Sequence, residues 1–294
     1  MEYIDAIAYI NDKEKFGSRL GLSSISKLME KLGNPQDDLN IIHVAGTNGK
    51  GSTSSYIASC IKTAGYSVGL YTSPYLERFN ERIQINGIDI PDERLGYFTS
   101  MVKEAADKMI EEGMEHPTTF ELVTAVGFLY FKEEKVDYLV LEVGLGGRFD
   151  STNVIKKSLA SVITSIDFDH ISQLGDTLAK IAYQKAGIIK ENGLVISYQQ
   201  EKEVADVIED VVKSNMGRLY ISDNENVQII NESDSGNVFD YRFRDEYLPS
   251  MKTSLIGEYQ VYNASLAVTT LLVLREEGLL SITNDDIYKG ILNT

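Results

Sequence analysis

Residues 41 to 53 read Ile-Ile-His-Val-Ala-Gly-Thr-Asn-Gly-Lys-Gly-Ser-Thr, which sets a lysine between two glycines at the end of an apolar run. A strand entering a glycine-rich turn and then a helix over residues 52–64 aims backbone N–H groups, a helix N-terminus and an ammonium at one point. That arrangement suits a polyphosphate. In this reading Thr47, Asn48, Gly49, Lys50, Gly51 and Ser52 form the loop. Lys50 meets the β- and γ-phosphates, and the Ser52 hydroxyl faces a magnesium ion. The plainer alternative is a strand–turn–helix whose glycines serve only positive φ. A lysine flanked by glycines between an apolar strand and a helix weighs against it. The spacing is a variant: Val44 stands where the common phosphate loop has its first glycine, and Gly51 separates Lys50 from the hydroxyl of Ser52.

Three further positions carry chemistry. Glu142 lies in Tyr-Leu-Val-Leu-Glu-Val-Gly, a run expected to be buried on both faces. A carboxylate there costs several kcal/mol unless it is paired or binds a metal. A structural salt bridge is the alternative, but Gly144, Gly146 and Gly147 open space for a ligand just beyond. His170 closes Asp167-Phe-Asp-His; such a histidine is ordinarily a satisfied core or surface group, and its place after a strand favours a metal-binding reading. Ser73, in Tyr-Thr-Ser-Pro, is by itself ordinary turn chemistry.

The elements that must position these groups alternate along the chain. Apolar, β-rich runs occur at 41–44, 68–72, 138–143, 160–165 and 194–197. Helical patterns fill 2–11, 23–32, 52–64, 91–112, 118–132, 177–188, 201–213 and 261–277, with another from Asp285. Ser23 is the expected N-cap of its helix and Gly33 its stop. Continuous apolar strands joined by crossover helices predict an α/β fold, P-loop NTPase-like, with a mostly parallel sheet covered on both faces. Short strands and Asp/Ser/Gly/Asn turns over 217–256 predict a small antiparallel extension. In open parallel sheets ligands sit beyond the carboxyl ends of the strands. The phosphate loop, Ser73, Glu142 and the 167–170 segment all fall there, so one composite site is expected.

Composition narrows the class. The chain has 294 residues, 43% of them hydrophobic, which allows a substantial core and excludes wholesale disorder. With 28 basic against 44 acidic residues, the net charge of -16 disfavours a nucleic-acid partner and also repels anions at long range. An anion site must therefore be built locally. No apolar run is long enough to span a bilayer and no signal-peptide core opens the chain. The lone Cys60 excludes an internal disulfide and fits a reducing cytoplasm, as a small buried helix residue behind the loop.

The segment Gly46-Thr-Asn-Gly-Lys-Gly-Ser52 resembles the nucleotide loop of the folylpolyglutamate synthase and dihydrofolate synthase family. That family belongs to the ATP-dependent amide-forming ligases, with the Mur ligases. In the family's order follow Tyr71-Thr-Ser-Pro-Tyr-Leu-Glu-Arg-Phe-Asn-Glu-Arg82, Thr118-Thr-Phe-Glu121, Leu141-Glu-Val-Gly-Leu-Gly-Gly-Arg-Phe-Asp-Ser-Thr-Asn153, Asp169-His170 and Gln184-Lys-Ala-Gly-Ile188. The resemblance runs from near the N-terminus to the end of the chain.

It implies joining of L-glutamate to a folate or dihydropteroate carboxylate through an acyl phosphate, with ATP as co-substrate and two Mg2+ ions. The implied catalytic set is Lys50, Glu142, His170 and Lys185. One metal is implied at Ser52 and Glu142, a second at Ser73, Glu142 and His170. Lys185 matches a lysine the family carries as a carbamate, although the sequence alone reads it as a surface helical lysine. Thr119, Phe120, Glu121 and Asp150 match pterin- or folate-contacting positions, with Gly17-Ser-Arg-Leu20 beside them. Phe120 alternatively shares a core helix face with Phe128. Arg82 is a candidate for steering the substrate carboxylate, and Asn263 matches an adenine contact. Tyr259 stands where the family usually has histidine.

A cytoplasmic monomer, free of nucleic acid and membrane, is expected. The chain stops at Thr294, near where the family's glutamate-binding domain begins, so the expectation is one ATP-binding domain over 1–294 that forms amide poorly by itself. Two rivals are a cell-wall amino-acid ligase of the Mur type and a non-catalytic ATP-binding module. Thr-Thr-Phe-Glu and the lack of an N-terminal nucleotide-sugar domain argue against the first.

Overall fold

A computed structural model describes residues 1–12 and 21–294; the expected pterin-pocket segment at 17–20 lies outside the described residues. Helices α1 (Tyr3–Asn11) and α2 (Ser23–Lys31) precede β1 (Ile41–Ala45), α3 (Lys50–Thr63) and β2 (Val68–Tyr71). A hairpin of β3 (Ile83–Ile85) and β4 (Ile88–Asp89) follows, then α4 (Asp92–Glu111), α5 (Thr119–Glu133), β5 (Tyr138–Glu142) and β6 (Ala160–Ile163). Next come the short α6 (Ile171–Leu174), α7 (Leu178–Lys185), β7 (Leu194–Tyr198), α8 (Lys202–Ser214) and β8 (Arg218–Ser222). Strands β9 (Val227–Ser233), β10 (Gly236–Phe243) and β11 (Glu246–Thr253) lead into α9 (Glu258–Glu276) and α10 (Asn284–Leu292).

The main sheet has the order β4-β3-β2-β5-β1-β6-β7-β8. From β2 to β8 its neighbours pair in parallel, while β3 and β4 add an antiparallel edge. The chain leaves β1 toward β2 on one side and later returns through β5 to β6 on the other. The carboxyl end of β1 is therefore the point where strand order reverses, the place where such sheets bind ligands.

The continuous apolar strands follow from burial on both faces. Ile42, Val44, Val140 and Val162 point into a core shared with α3, α9, α10 and the small sheet. Their neighbours Ile41, Leu139 and Leu141 point into a second core under α1, α2, α4 and α5. Alternate side chains thus serve opposite layers. Cys60 is buried as expected: its thiol faces the Ile287 carbonyl at 3.6 Å. Among the described residues no helix is long and apolar enough to cross a membrane.

Several expectations are corrected. The 217–256 segment is not all antiparallel extension: β8 joins the main sheet parallel to β7, and the separate sheet begins at Val227. The β3–β4 hairpin was not anticipated, although Asn86 and Gly87 both take positive φ at its turn, as a two-residue hairpin requires. The helix expected to run to residue 188 ends at Lys185 and gives way to a 3-10 turn, Ala186–Ile188. Ser23 is the first helical residue, with Leu22 before it and no side-chain cap.

Candidate active site

The turn after β1 is held tightly from outside. Gly46 has φ +155, and a Cβ there would fall 1.8 Å from the Thr164 hydroxyl. Gly49, at φ +83, precedes α3, and a Cβ there would fall 2.2 Å from Asn263 Oδ1. Both glycines are thus required by neighbours as well as by backbone conformation. The Thr47 N–H donates to the Ser165 carbonyl at 2.8 Å, and its hydroxyl donates to the Asp167 carbonyl at 3.0 Å. These bonds tie the loop to the continuation of β6. Helix α3 begins at Lys50, two residues earlier than expected, and the ammonium folds back onto the Thr47 carbonyl at 3.1 Å.

Glu142 ends β5, in register with Val44 of β1, and is 4% exposed. The Ser73 N–H donates to Oε2 at 3.1 Å. Burial pushes the carboxyl up to about 7; the charge of Lys50 and the Ser73 N–H act against that, and Asp150 adds to it. Because residue 51 is glycine, the space its side chain would fill lies 3.9 Å from both carboxylate oxygens. The structure therefore brings Lys50, Gly51, Ser73 and Glu142 to one place. The structural salt bridge that stood as the alternative is not seen: among the described residues no lysine or arginine forms an ion pair with Glu142. A desolvated carboxylate with Ser52 and Ser73 hydroxyls is a set of hard oxygen donors that fits magnesium.

His170 stands at the start of α6 with φ +43 and a side chain 54% exposed, its Nε2 3.4 Å from Asp169. Its polar partner is Asp169, not Glu142. Among the described residues no three histidine, cysteine or carboxylate side chains converge as a metal site. The expected ligand set contains only two residues of those types, Glu142 and His170.

Lys185 is not the surface lysine that the sequence alone reads. It is 2% exposed, and its ammonium donates to the Gly46 carbonyl of the phosphate loop at 2.6 Å. Burial lowers its pKa to about 8, with Lys50 acting the same way and Asp169 opposing. Lys50 and Lys185 thus both donate to carbonyls of the loop.

The residues expected against the pterin divide into two groups. Thr118 and Glu121 form a capping box at the start of α5, and Glu121 also accepts from the Ser24 hydroxyl at 3.0 Å. Thr119 donates its hydroxyl to the Ile10 carbonyl at 3.1 Å. Asp150 is buried, accepting from the Leu145 N–H at 2.8 Å and the Thr152 N–H at 2.9 Å. Burial raises its pKa, and those bonds oppose the rise. The polar atoms of these three residues are therefore engaged by the scaffold.

Phe120 and Arg82 belong to the other group. Phe120 is half-buried beside Gly144, where a Cβ would fall 2.5 Å from its ring, and it meets Tyr71 edge-on. Arg82 is half-buried over the rings of Tyr75 and Phe79, 4.9 and 5.6 Å from their centroids, and its Nε has no partner among the described residues.

Beside the loop lies a cavity of about 480 Å³ lined by Asn48, Gly49, Ser52, Ser165, Tyr198, Tyr259, Tyr262 and Asn263. Tyr198 and Tyr262 meet edge to face at 6.4 Å, and Asn263 is oriented by its bond with Gln260. Sequence reasoning missed Tyr198 and Tyr262. The end of β7 carries Tyr198, so the rule that selected Ser73 and Glu142 would have found it.

The Mur ligase middle domain model matches residues 44–271. A dihydrofolate synthase/folylpolyglutamate synthase of Bacillus subtilis (strain 168) is 40% identical over 293 residues, covering 99% of this chain and 68% of that protein. Folylpolyglutamate synthase of Lacticaseibacillus casei is 36% identical over 293 residues, with the same shares. A solved FPGS-AMPPCP-folate complex matches with a TM-score of 0.92 and 34% identity, over 100% of this chain and 72% of that one.

Proposed function

Because the chain belongs to the folylpolyglutamate synthase and dihydrofolate synthase family of the Mur ligases, we propose that it joins L-glutamate to a carboxylate of folate or dihydropteroate while ATP becomes ADP and phosphate. It is an ATP-dependent ligase by family. The observation that carries the site assignment is the proximity of Lys50, opening α3 just beyond β1, to Glu142, ending the adjacent β5, with the Gly51 side-chain position 3.9 Å from both Glu142 carboxylate oxygens.

ATP lies with its triphosphate on the 46–52 turn and its base among Tyr198, Tyr259, Tyr262 and Asn263. Lys50 exchanges the Thr47 carbonyl for phosphate oxygens. Arg82 steers the acceptor carboxylate, whose oxygen attacks the γ-phosphorus as the bond to the bridging oxygen breaks and ADP departs. The amine of glutamate adds to the resulting acyl phosphate, loses a proton and expels phosphate, leaving the amide. Mg2+ held by Ser52 and Glu142, and by Ser73, Glu142 and His170, would supply positive charge against the phosphate oxygens. Phe120 packs against the pterin. The lowered basicity of Lys185 leaves more of the neutral amine that adds to CO2, which supports carbamylation there. The reading takes residues 1–294 as one ATP-binding domain in a cytoplasmic monomer, and light scattering on the purified protein tests the last point.

The decisive variant is Lys50→Ala. With dihydropteroate or tetrahydrofolate, glutamate and ATP supplied, turnover is expected to fall at least about a hundredfold, the scale of losing a charged group on a transferring phosphoryl. Undiminished turnover would remove the loop from the reaction.

A further inference from the structure

Strand β1 carries one polar side chain, His43, which is fully buried and which the proposed chemistry leaves unused. Its Nε2 lies 2.9 Å from the Thr152 hydroxyl, and that hydroxyl bonds Asp150 Oδ1. Oδ1 also accepts from the Thr152 N–H, and Oδ2 from the Leu145 N–H. The other ring nitrogen, Nδ1, is shut from solvent with no partner among the described residues.

These contacts fix where the protons sit. Thr152 has one hydroxyl hydrogen. Given to the Asp150 carboxylate, it leaves the Thr152 oxygen to accept from Nε2–H, and Nδ1 is a bare lone pair. The reverse arrangement, with Asp150 protonated and Thr152 donating to Nε2, strands an Nδ1–H in the core. Imidazolium strands the same hydrogen. An orphaned buried N–H is rarer and costlier than an unused acceptor, so the first arrangement holds. Burial and the charge of Lys190 also keep the ring neutral.

The loop that Asp150 anchors touches both sides of the site. Leu145 follows Glu142 by three residues. Gly147 lies so close to α7 that a Cβ would fall 2.9 Å from the Lys185 carbonyl oxygen, and the Arg148 N–H donates to the Gln184 carbonyl at 2.7 Å. We propose that His43 is a positioning residue: its Nε2–H, through Thr152 and Asp150, fixes the 144–150 loop, which follows Glu142 at the end of β5 and backs Lys185 on α7. The proposal rests on the functional reading above for its consequence, but not for its hydrogen-bond direction.

Two measurements on the whole protein test it. Side-chain ¹⁵N NMR, with His43→Gln to assign the signal, is expected to show a neutral Nε2–H tautomer at neutral pH; an Nδ1–H tautomer or imidazolium overturns the proposal. Calorimetry with Mg2+ and AMPPCP is expected to show affinity about tenfold weaker in Thr152→Val and in His43→Leu, the scale of one lost buried hydrogen bond, and within about twofold of wild type in Thr152→Ser and His43→Gln. Wild-type affinity in a folded Thr152→Val or His43→Leu overturns it. Should one apolar variant fail to fold, the other gives the same comparison. If wild type itself binds no AMPPCP, the functional reading fails, and the tautomer alone decides the role of His43 as anchor of the loop.

Discussion

Lys185 illustrates what a single side chain's surroundings do to its chemistry. Its position in a helical run gave no reason to expect burial, because the cover comes from the 144–150 loop and from Gly46, far away in sequence. Glu142 was more legible: a carboxylate in a strand apolar on both sides announces itself, and it proved buried without an ion pair. Burial at Lys185 yields a stability prediction. The group is about 8 in the folded protein against 10.5 ordinarily, so the unfolded chain binds more protons between those values and stability rises with pH through that window. The total is on the order of 3 kcal/mol. Urea unfolding in CO2-free buffer, where Lys185 is the free amine, of wild type and Lys185→Met at pH 8 and 10.5 is expected to show this rise in wild type and its loss in the variant; parallel curves would contradict it. Activity is also expected to fall in CO2-free buffer and return with bicarbonate, a response absent from Lys185→Met.

Elements were legible where their pattern was local. The alternation of strands and helices followed directly from hydrophobic spacing, and the phosphate turn from its glycines. Thr119, Phe120 and Glu121 were read through resemblance as pterin contacts, yet the spacing of Thr118-Thr-Phe-Glu121 is also that of a capping box, and the Thr118 hydroxyl and Glu121 carboxylate make those bonds. Thr118→Ala is therefore expected to cost about 1 kcal/mol in chemical denaturation, with a smaller effect on ATP affinity. Strand β8 was missed as a sheet member because an edge strand's direction depends on the strand it joins, not on its own sequence. Gly49 tests the turn: Gly49→Ala strains a positive φ and collides with Asn263. ATP-analogue affinity is expected to drop at least about tenfold; normal binding by the variant would contradict the geometry.

At the scale of the molecule, helices from distant parts of the chain set the position of α3. Gly290 of α10 lies where a Cβ would fall 2.4 Å from Cys60 Cα, so the last helix locks directly onto the helix that begins at Lys50. Gly290→Val is expected to lift α10 and turn Cys60 from inert to reactive toward a thiol reagent, its pKa being raised by burial in wild type. A thiol equally inert in the folded variant would show that the two helices tolerate separation. Such packing is invisible to sequence patterns, which describe one element at a time. The nearness of Lys50, Ser73 and Glu142, by contrast, was legible because strand ends of a parallel sheet converge wherever the crossovers leave them. In the proposed function this convergence serves as a single grip on a metal-bound triphosphate by Lys50 and Glu142. The direct measurement is AMPPCP affinity with Mg2+ and with EDTA, in wild type and Glu142→Gln. The account predicts that EDTA weakens wild-type binding by about tenfold or more and leaves the already weakened variant nearly unchanged. Equal dependence on Mg2+ in both proteins would contradict it.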